Sequence, residues 1–288
     1  MKKLLFQKLV ILGPGLLGGS IGLAARRRRI ARRIVVWGRR PEAARDAVAA
    51  GAADEAAATP AEAVRGADLI LLCTTVEAMP RIARAMRPGL ARGALVTDVG
   101  STKRNVVRRV GALLAGRATW IGSHPMAGGE REGLRAARAE LFEGATCIVT
   151  PTSDSSARGL RRIREFWEAL GGRSVVMSPA EHDAVVALVS HVPHLAAAAL
   201  VNVVGRENPA ALRCAGNGFR DMTRIASGSP GMWTGIARSN RTEICRGLGK
   251  LIAELQGLAR GLTDGSGETL RARLDRAKAL RDEMRSRG

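Results

Sequence analysis

KLVILGPGLLGGS, Lys8 to Ser20, is the stretch whose reading decides the fold. Its first half is a short apolar run rich in β-branched residues, the composition of a parallel strand buried on both faces. Its second half sets Gly13, Gly15 and Gly18 in GxGxxG spacing where that strand runs into a helix. Gly13 permits the turn, Gly15 lets backbone amides approach a pyrophosphate, and Gly18 lets helix and strand pack closely. Leu16 and Leu17 complete the loop, and the helix N-terminus behind it favours phosphate. A merely structural glycine turn is the bland alternative, and the flanking strand and helix weigh against it.

The pattern repeats outward from that loop. Runs at Ile34–Gly38, Asp68–Cys73 and Ala94–Gly100 read as further strands separated by Ala-rich helices, which predicts a mostly parallel α/β sheet of Rossmann type. Strands are also predicted at Thr119–Ser123, Ala145–Thr150 and Arg173–Ser178, with a helix over Ser155–Leu170. After Pro179 strands cease, and long apolar helical stretches follow, including Gly231–Leu262 and a charged helix over Glu268–Arg287. The division expected is a dinucleotide-binding domain over 1–178 and an all-helical substrate and dimerisation domain over 179–288, in a homodimer.

The tip of the second strand bears on the cofactor. An acidic residue there would bind the ribose of NAD, whereas this chain has Gly38 followed by Arg39 and Arg40, a pair suited to the 2′-phosphate of NADP. NADP is therefore expected, with NAD the alternative if both arginines belong to a general excess. Thr74, just beyond Asp68–Cys73, joins the cofactor contacts.

That excess is large: 46 Lys and Arg against 26 Asp and Glu give a formal charge of +20. Nucleic acid is still not the expected partner, because the arginines are scattered and aromatic residues make up only 3% with no Tyr, which leaves no base-stacking surface. The one tight run, Arg26–Arg29, follows a predicted helix, whose negative end suits cations. What the charge favours is small polyanions. Lys2 and Lys3 ahead of an apolar stretch imitate a signal peptide, but Gly13-Pro14-Gly15 breaks the helix such a peptide needs. Cys73, Cys147, Cys214 and Cys245 form no CxxC pair, which fits a reduced cytoplasm. No membrane partner is expected.

Only four histidines occur, in SHPMAG (His124), EHDAVV (His182) and SHVPH (His191 and His194). No metal site is expected from them, since no third ligand cluster accompanies His191 and His194 and Pro193 distorts the turn between those two. Beside SHPMAG, at Ser123–Gly128, stand two further strings: DVGSTK at Asp98–Lys103 and GNGFRDMTRIA at Gly216–Ala226. In this order, with GPGLLGGS before them and HD and SHVPH between, the chain resembles the prephenate/arogenate dehydrogenase family over nearly its whole length.

The resemblance implies an NAD(P)-dependent oxidative decarboxylation of a small cyclohexadienol that leaves an aromatic ring. It implies that His124 is the catalytic histidine, taking the proton of the 4-hydroxyl, with Ser101 sharing that contact. On that basis activity should fail on the acid side with an apparent pKa of about 6 to 7. Ser101 has a competing role as N-cap of a helix over Lys103–Val110. Arg224 matches the arginine that holds a substrate carboxylate, and Asp221 three residues earlier could orient it or form a plain surface pair. His191 and His194 line the substrate pocket, and His182-Asp183 has a capping, interdomain or contact role. Where the family often has GGGF, this chain has Asn217 in GNGF; Asn tolerates positive φ, and its amide is placed near the substrate side chain, leaving prephenate and arogenate both open. The rivals are a β-hydroxyacid dehydrogenase, which would need an interdomain lysine absent between Lys103 and Lys250, and a non-catalytic NADP-sensing or nucleic-acid-binding protein.

Overall fold

A computed structural model describes residues 4–129, 131–263 and 267–286. Six parallel strands form one sheet in the order β3-β2-β1-β4-β5-β6: β1 (Phe6–Leu12), β2 (Ala31–Trp37), β3 (Glu55–Ala56), β4 (Leu69–Leu72), β5 (Ala94–Asp98) and β6 (Ala118–Trp120). The strand order reverses at β1 and β4, the point where a doubly wound sheet opens a crevice for a nucleotide. Alternate residues of β1 face opposite sides, Leu9 and Ile11 into one core and Val10 and Leu12 into the other. That two-sided burial is why these strands read as continuous apolar runs.

Helices cover both faces: α1 (Leu16–Arg28), α2 (Pro41–Ala49), α3 (Pro60–Ala63), α4 (Met79–Met86), α5 (Arg104–Leu114) and α6 (Ala157–Ala169). Arg26–Arg29 falls at the C-terminus of α1 as expected. Arg26 pairs with Asp54 at 2.5 Å, and Arg27 and Arg28 both pair with Glu143.

The predicted strand over Thr119–Ser123 is in fact two. The chain leaves the parallel sheet after β6 and resumes as β7 (Gly122–Pro125), which pairs antiparallel with β8 (Thr146–Thr150), itself parallel to β9 (Arg173–Val176). The Asp98 carboxylate causes the break by taking the Ser123 amide at 3.0 Å, a donor that would otherwise extend the ladder. This break places His124 at the end of one sheet, facing the strand tips of the other.

From Pro179 the chain is helical: α7 (Pro179–Val186), a π-helical turn (Ala187–His191) and α8 (Val192–Glu207), then α9 (Asn217–Thr223), a 3-10 turn (Arg224–Ser227) and α10 (Pro230–Ser239). Pro193 lacks an amide to bond back into the preceding turn, and the π turn sits immediately before it. Pro179–Glu207 is long and apolar enough to cross a membrane by composition, yet it carries His182, Asp183, His191 and His194, all buried. Residues 1–240 form one compact unit, and residues 241–288 a second made of α11 (Arg241–Thr263) and α12 (Glu268–Ser286). The helical stretch predicted over Gly231–Leu262 is thus divided at Asn240. Within the second unit Gly261 lets α11 approach the backbone of Leu270, and Arg273 pairs with Glu254.

Candidate active site

The glycine loop behaves as its spacing predicts. Gly13 adopts φ +116°, and a Cβ on Gly18 would sit 2.1 Å from the Gly13 carbonyl oxygen, so a side chain at Gly18 would collide with the loop backbone. Gly15, by contrast, faces open space. It borders a cavity of about 690 Å³ lined by Gly13, Gly38, Arg39, Arg40 and Thr74, and a second of about 490 Å³ lined by Leu16, Leu17, Thr74 and Ser101. Every expected cofactor residue except Gly18, which packs instead, therefore lines one of two adjoining cavities that share Gly15 and Thr74. An open cradle over a glycine backbone at the start of α1, with guanidiniums at the far end, fits a dinucleotide.

Ser101 also borders a third cavity, of about 360 Å³, lined by His124, His191, His194, Arg224 and Trp233. The structure thus brings together both expected catalytic residues and three of the expected substrate residues. Ser101 is not a helix cap. α5 begins at Arg104, and its first amides are taken by a side chain 80 residues away: Lys103 N–H donates to Asp183 Oδ1 at 2.7 Å and Arg104 N–H to Oδ2 at 2.9 Å. Beneath the Ser101 loop Lys103 and Asp98 form a fully buried ion pair at 2.5 Å.

Two expected residues stay outside the cavity. Asp221 is exposed and makes no ion pair with Arg224, because α9 ends at Thr223 and Arg224 opens the 3-10 turn. Asn217 is an exposed first residue of α9 and does not line the cavity. It also has no need of positive φ, since Arg29 alone among the described non-glycine residues adopts it.

The histidines form a buried, interlocked group. His124 Nδ1 lies 2.9 Å from His182 Nε2, and His182 Nδ1 lies 2.9 Å from Asp183 Oδ1. Asn240 Nδ2 donates to the Asp183 carbonyl at 2.8 Å and approaches His191 Nδ1 at 3.2 Å. His194 stacks on Trp233 with ring centroids 3.5 Å apart, and Gly228 is small enough to lie against both rings. His191 Nε2 and His194 Nδ1 are buried without a hydrogen-bond partner.

Burial, with His182, Lys103 and His191 nearby, pushes the His124 pKa well below the ordinary imidazole value. Burial likewise lowers His182 against the opposing pull of Asp183, lowers His194, and brings His191 down to about 4. The cluster is therefore neutral at pH 7, and the expected acid limb at 6 to 7 must move lower. Asn240, bonded to this group, and Trp233, which lines the cavity, are not among the residues the sequence singles out. His182 carried a signal, the HD pair, but nothing in the sequence names its partner.

The comparisons agree with this geometry. The nucleotide-binding domain described for prephenate dehydrogenases matches residues 21–176, and their dimerization domain matches residues 178–276. The chain belongs to the prephenate dehydrogenase family. A prephenate dehydrogenase of Bacillus subtilis is 34% identical over 280 residues, 96% of this chain and 76% of that protein. A cyclohexadienyl dehydrogenase of Zymomonas mobilis is 34% identical over 270 residues, 92% of each chain. Among solved structures, prephenate dehydrogenase from A. aeolicus in complex with hydroxyphenyl propionate and NAD+ superposes with a TM-score of 0.90 at 31% identity, covering 96% of this chain and 98% of that one. This member of the family is an NAD(P)-dependent oxidoreductase with a Rossmann-type domain and a C-terminal helical domain.

Proposed function

We propose that this chain oxidatively decarboxylates prephenate or arogenate, with NADP as the preferred acceptor. The observation that carries the reading is a track of three adjoining cavities, which runs from Arg39 and Arg40 past the glycine loop to Ser101 and ends at His124 and Arg224. Bound along the track, the dinucleotide supplies the hydride acceptor. His124 takes the proton of the 4-hydroxyl, and Ser101, at the boundary between the two cavities, holds that hydroxyl in line. Arg224 binds a carboxylate with its planar fork, while His191 and His194 line the same cavity beside it. Trp233, Met232 and Ile236 give the cavity an apolar wall that limits water. A hydride and carbon dioxide leave the ring, the proton held by His124 returns to the oxygen as the ring becomes aromatic, and that gain drives the reaction forward.

The same reading assigns residues 1–178 to cofactor binding and 179–288 to substrate and dimer contacts. Ile252, Leu255 and Leu262 on α11, and Leu274 and Leu280 on α12, are exposed apolar side chains suited to a second copy of this chain. A soluble cytoplasmic homodimer with its four cysteines free completes the proposal.

A crossed assay tests it: prephenate and arogenate, each with NAD and NADP, followed by nicotinamide absorbance. Turnover with at least one substrate, at higher kcat/KM with NADP than with NAD, is expected. Absence of turnover in all four combinations, from folded protein that binds the dinucleotide, would refute the reaction.

A further inference from the structure

We propose that His182 and Asp183 are positioning residues for the reaction, fixing which nitrogen of His124 faces the substrate. This rests on the reading of His124 as proton acceptor, and the geometry carries it step by step. Asp183 holds the amides of Lys103 and of Arg104, the first residue of α5, one on each oxygen, at 2.7 and 2.9 Å. Burial alone would raise its carboxyl pKa, but the hydrogen bonds from His182 and from the Lys103 and Arg104 amides hold it below the usual carboxylate value. An ionised carboxylate can only accept, so His182 Nδ1 at 2.9 Å must donate to it.

A neutral imidazole has one N–H. His182 Nε2 is therefore a lone pair, and His124 Nδ1, at 2.9 Å, must donate to it. The same count leaves the lone pair of His124 on Nε2, which no described residue hydrogen-bonds, in a ring that lines the substrate cavity. When the substrate O–H breaks, an N–H forms at His124 Nε2 and no electrons change hands at that atom. The imidazolium then has its Nδ1–H already bonded to His182, with the Asp183 carboxylate one residue behind it. His182, Lys103 and His191 disfavour a charge on His124, while Asp183 and Asp98 favour one on His182.

A rival account makes the chain of bonds a brace, tying β7 to α7 and α5. The proton order itself is tested by an experiment that needs no turnover, and kinetics then separate positioning from a brace. Nitrogen-15 NMR of the histidine side chains in the substrate-free enzyme should find both His124 and His182 protonated on Nδ1. His124 protonated on Nε2 would overturn the proposal, whatever the reaction proves to be.

Kinetics supply the second arm. His182→Phe removes the acceptor and should lower kcat by ~10²-fold or more, the lower range for loss of a correctly poised base, while KM for prephenate and the Kd for dinucleotide stay near wild type. His182→Gln, whose amide oxygen can take the place of Nε2, should recover most of that loss. A folded His182→Phe enzyme with wild-type kcat, or a folded Gln variant no better than Phe, would reduce the chain to a brace. A brace predicts a lower Tm with kcat intact.

Discussion

The two ends of the cavity track are built on opposite principles. At the phosphate end recognition is made of backbone and of what is absent: Gly13 in a conformation side chains rarely adopt, Gly18 pressed on the loop, Gly15 facing open space, and two exposed arginines beyond. At the other end it is made of buried side chains, His124, His182, Asp183, His191 and Asn240, each contacting another within 3.2 Å. Backbone amides and exposed guanidiniums bind a charge with little concern for proton positions. Buried imidazoles do the reverse: removing one member changes the proton inventory of all the others. Substitutions at the phosphate end should therefore be read in KM for the dinucleotide, and substitutions at the imidazole end in kcat.

The largest effect should come from His124. Replacement by Asn should lower kcat by ~10²–10⁴ with dinucleotide binding retained, the range for loss of a positioned base. Steady-state kinetics with a parallel dinucleotide titration check it, and turnover within a few-fold of wild type would break the contrast. Arg224 comes next. Because this arginine is exposed as well as lining the cavity, the discounted value of a charged hydrogen bond, ~1.5–3 kcal/mol, applies, and Arg224→Ala should raise KM for prephenate roughly 10- to 100-fold. Arg224→Lys should recover part. The Tm should not move; a lowered Tm with unchanged KM would return the residue to the fold.

How much of this was legible follows the same contrast. The glycine loop and the two-sided strands are local, so their chemistry is written within a dozen residues. The split between β6 and β7 is not, because TWIGS reads as one strand and only Asp98, 25 residues upstream, diverts it. His124 and Arg224, which line the same cavity, stand out in their strings. The bond from His124 to His182 spans 58 residues, and Asn240 reaches His191 across 49, so neither leaves a periodic or spacing signal. Asp221 and Asn217 lie outside the cavity for the opposite reason: adjacency in GNGFRDMTR promised a shared site, and the turn at Arg224 intervenes.

Smaller effects sharpen the phosphate end. Changing Arg39 and Arg40 together to Ala should raise KM for NADP roughly tenfold or more and leave KM for NAD nearly unchanged, since only NADP carries the 2′-phosphate. Equal losses with the two would make the pair background charge.

The smallest effect is on stability. His124, His182, His191 and His194 all have pKa values lowered on folding, His191 to about 4, against ~6.5 in the unfolded chain. Below about 6.5 the unfolded chain binds protons that the folded one refuses, so the stability present above that pH is lost as pH falls toward 4. Melting curves should show Tm decreasing from pH 7 to pH 5, and a Tm that rises over that interval would contradict the burial of neutral imidazoles.

The pH profile of kcat/KM tests the neutral, ordered imidazole end most directly, because it reports the free enzyme. His124 is surrounded by burial, His182, Lys103 and His191, all of which disfavour its protonation. The account predicts a profile flat through neutrality, with an acid limb well below the ordinary imidazole value of ~6.5 and absent from the residual activity of His124→Asn. A limb at or above ~6.5, or one that survives unchanged in that variant, would contradict it.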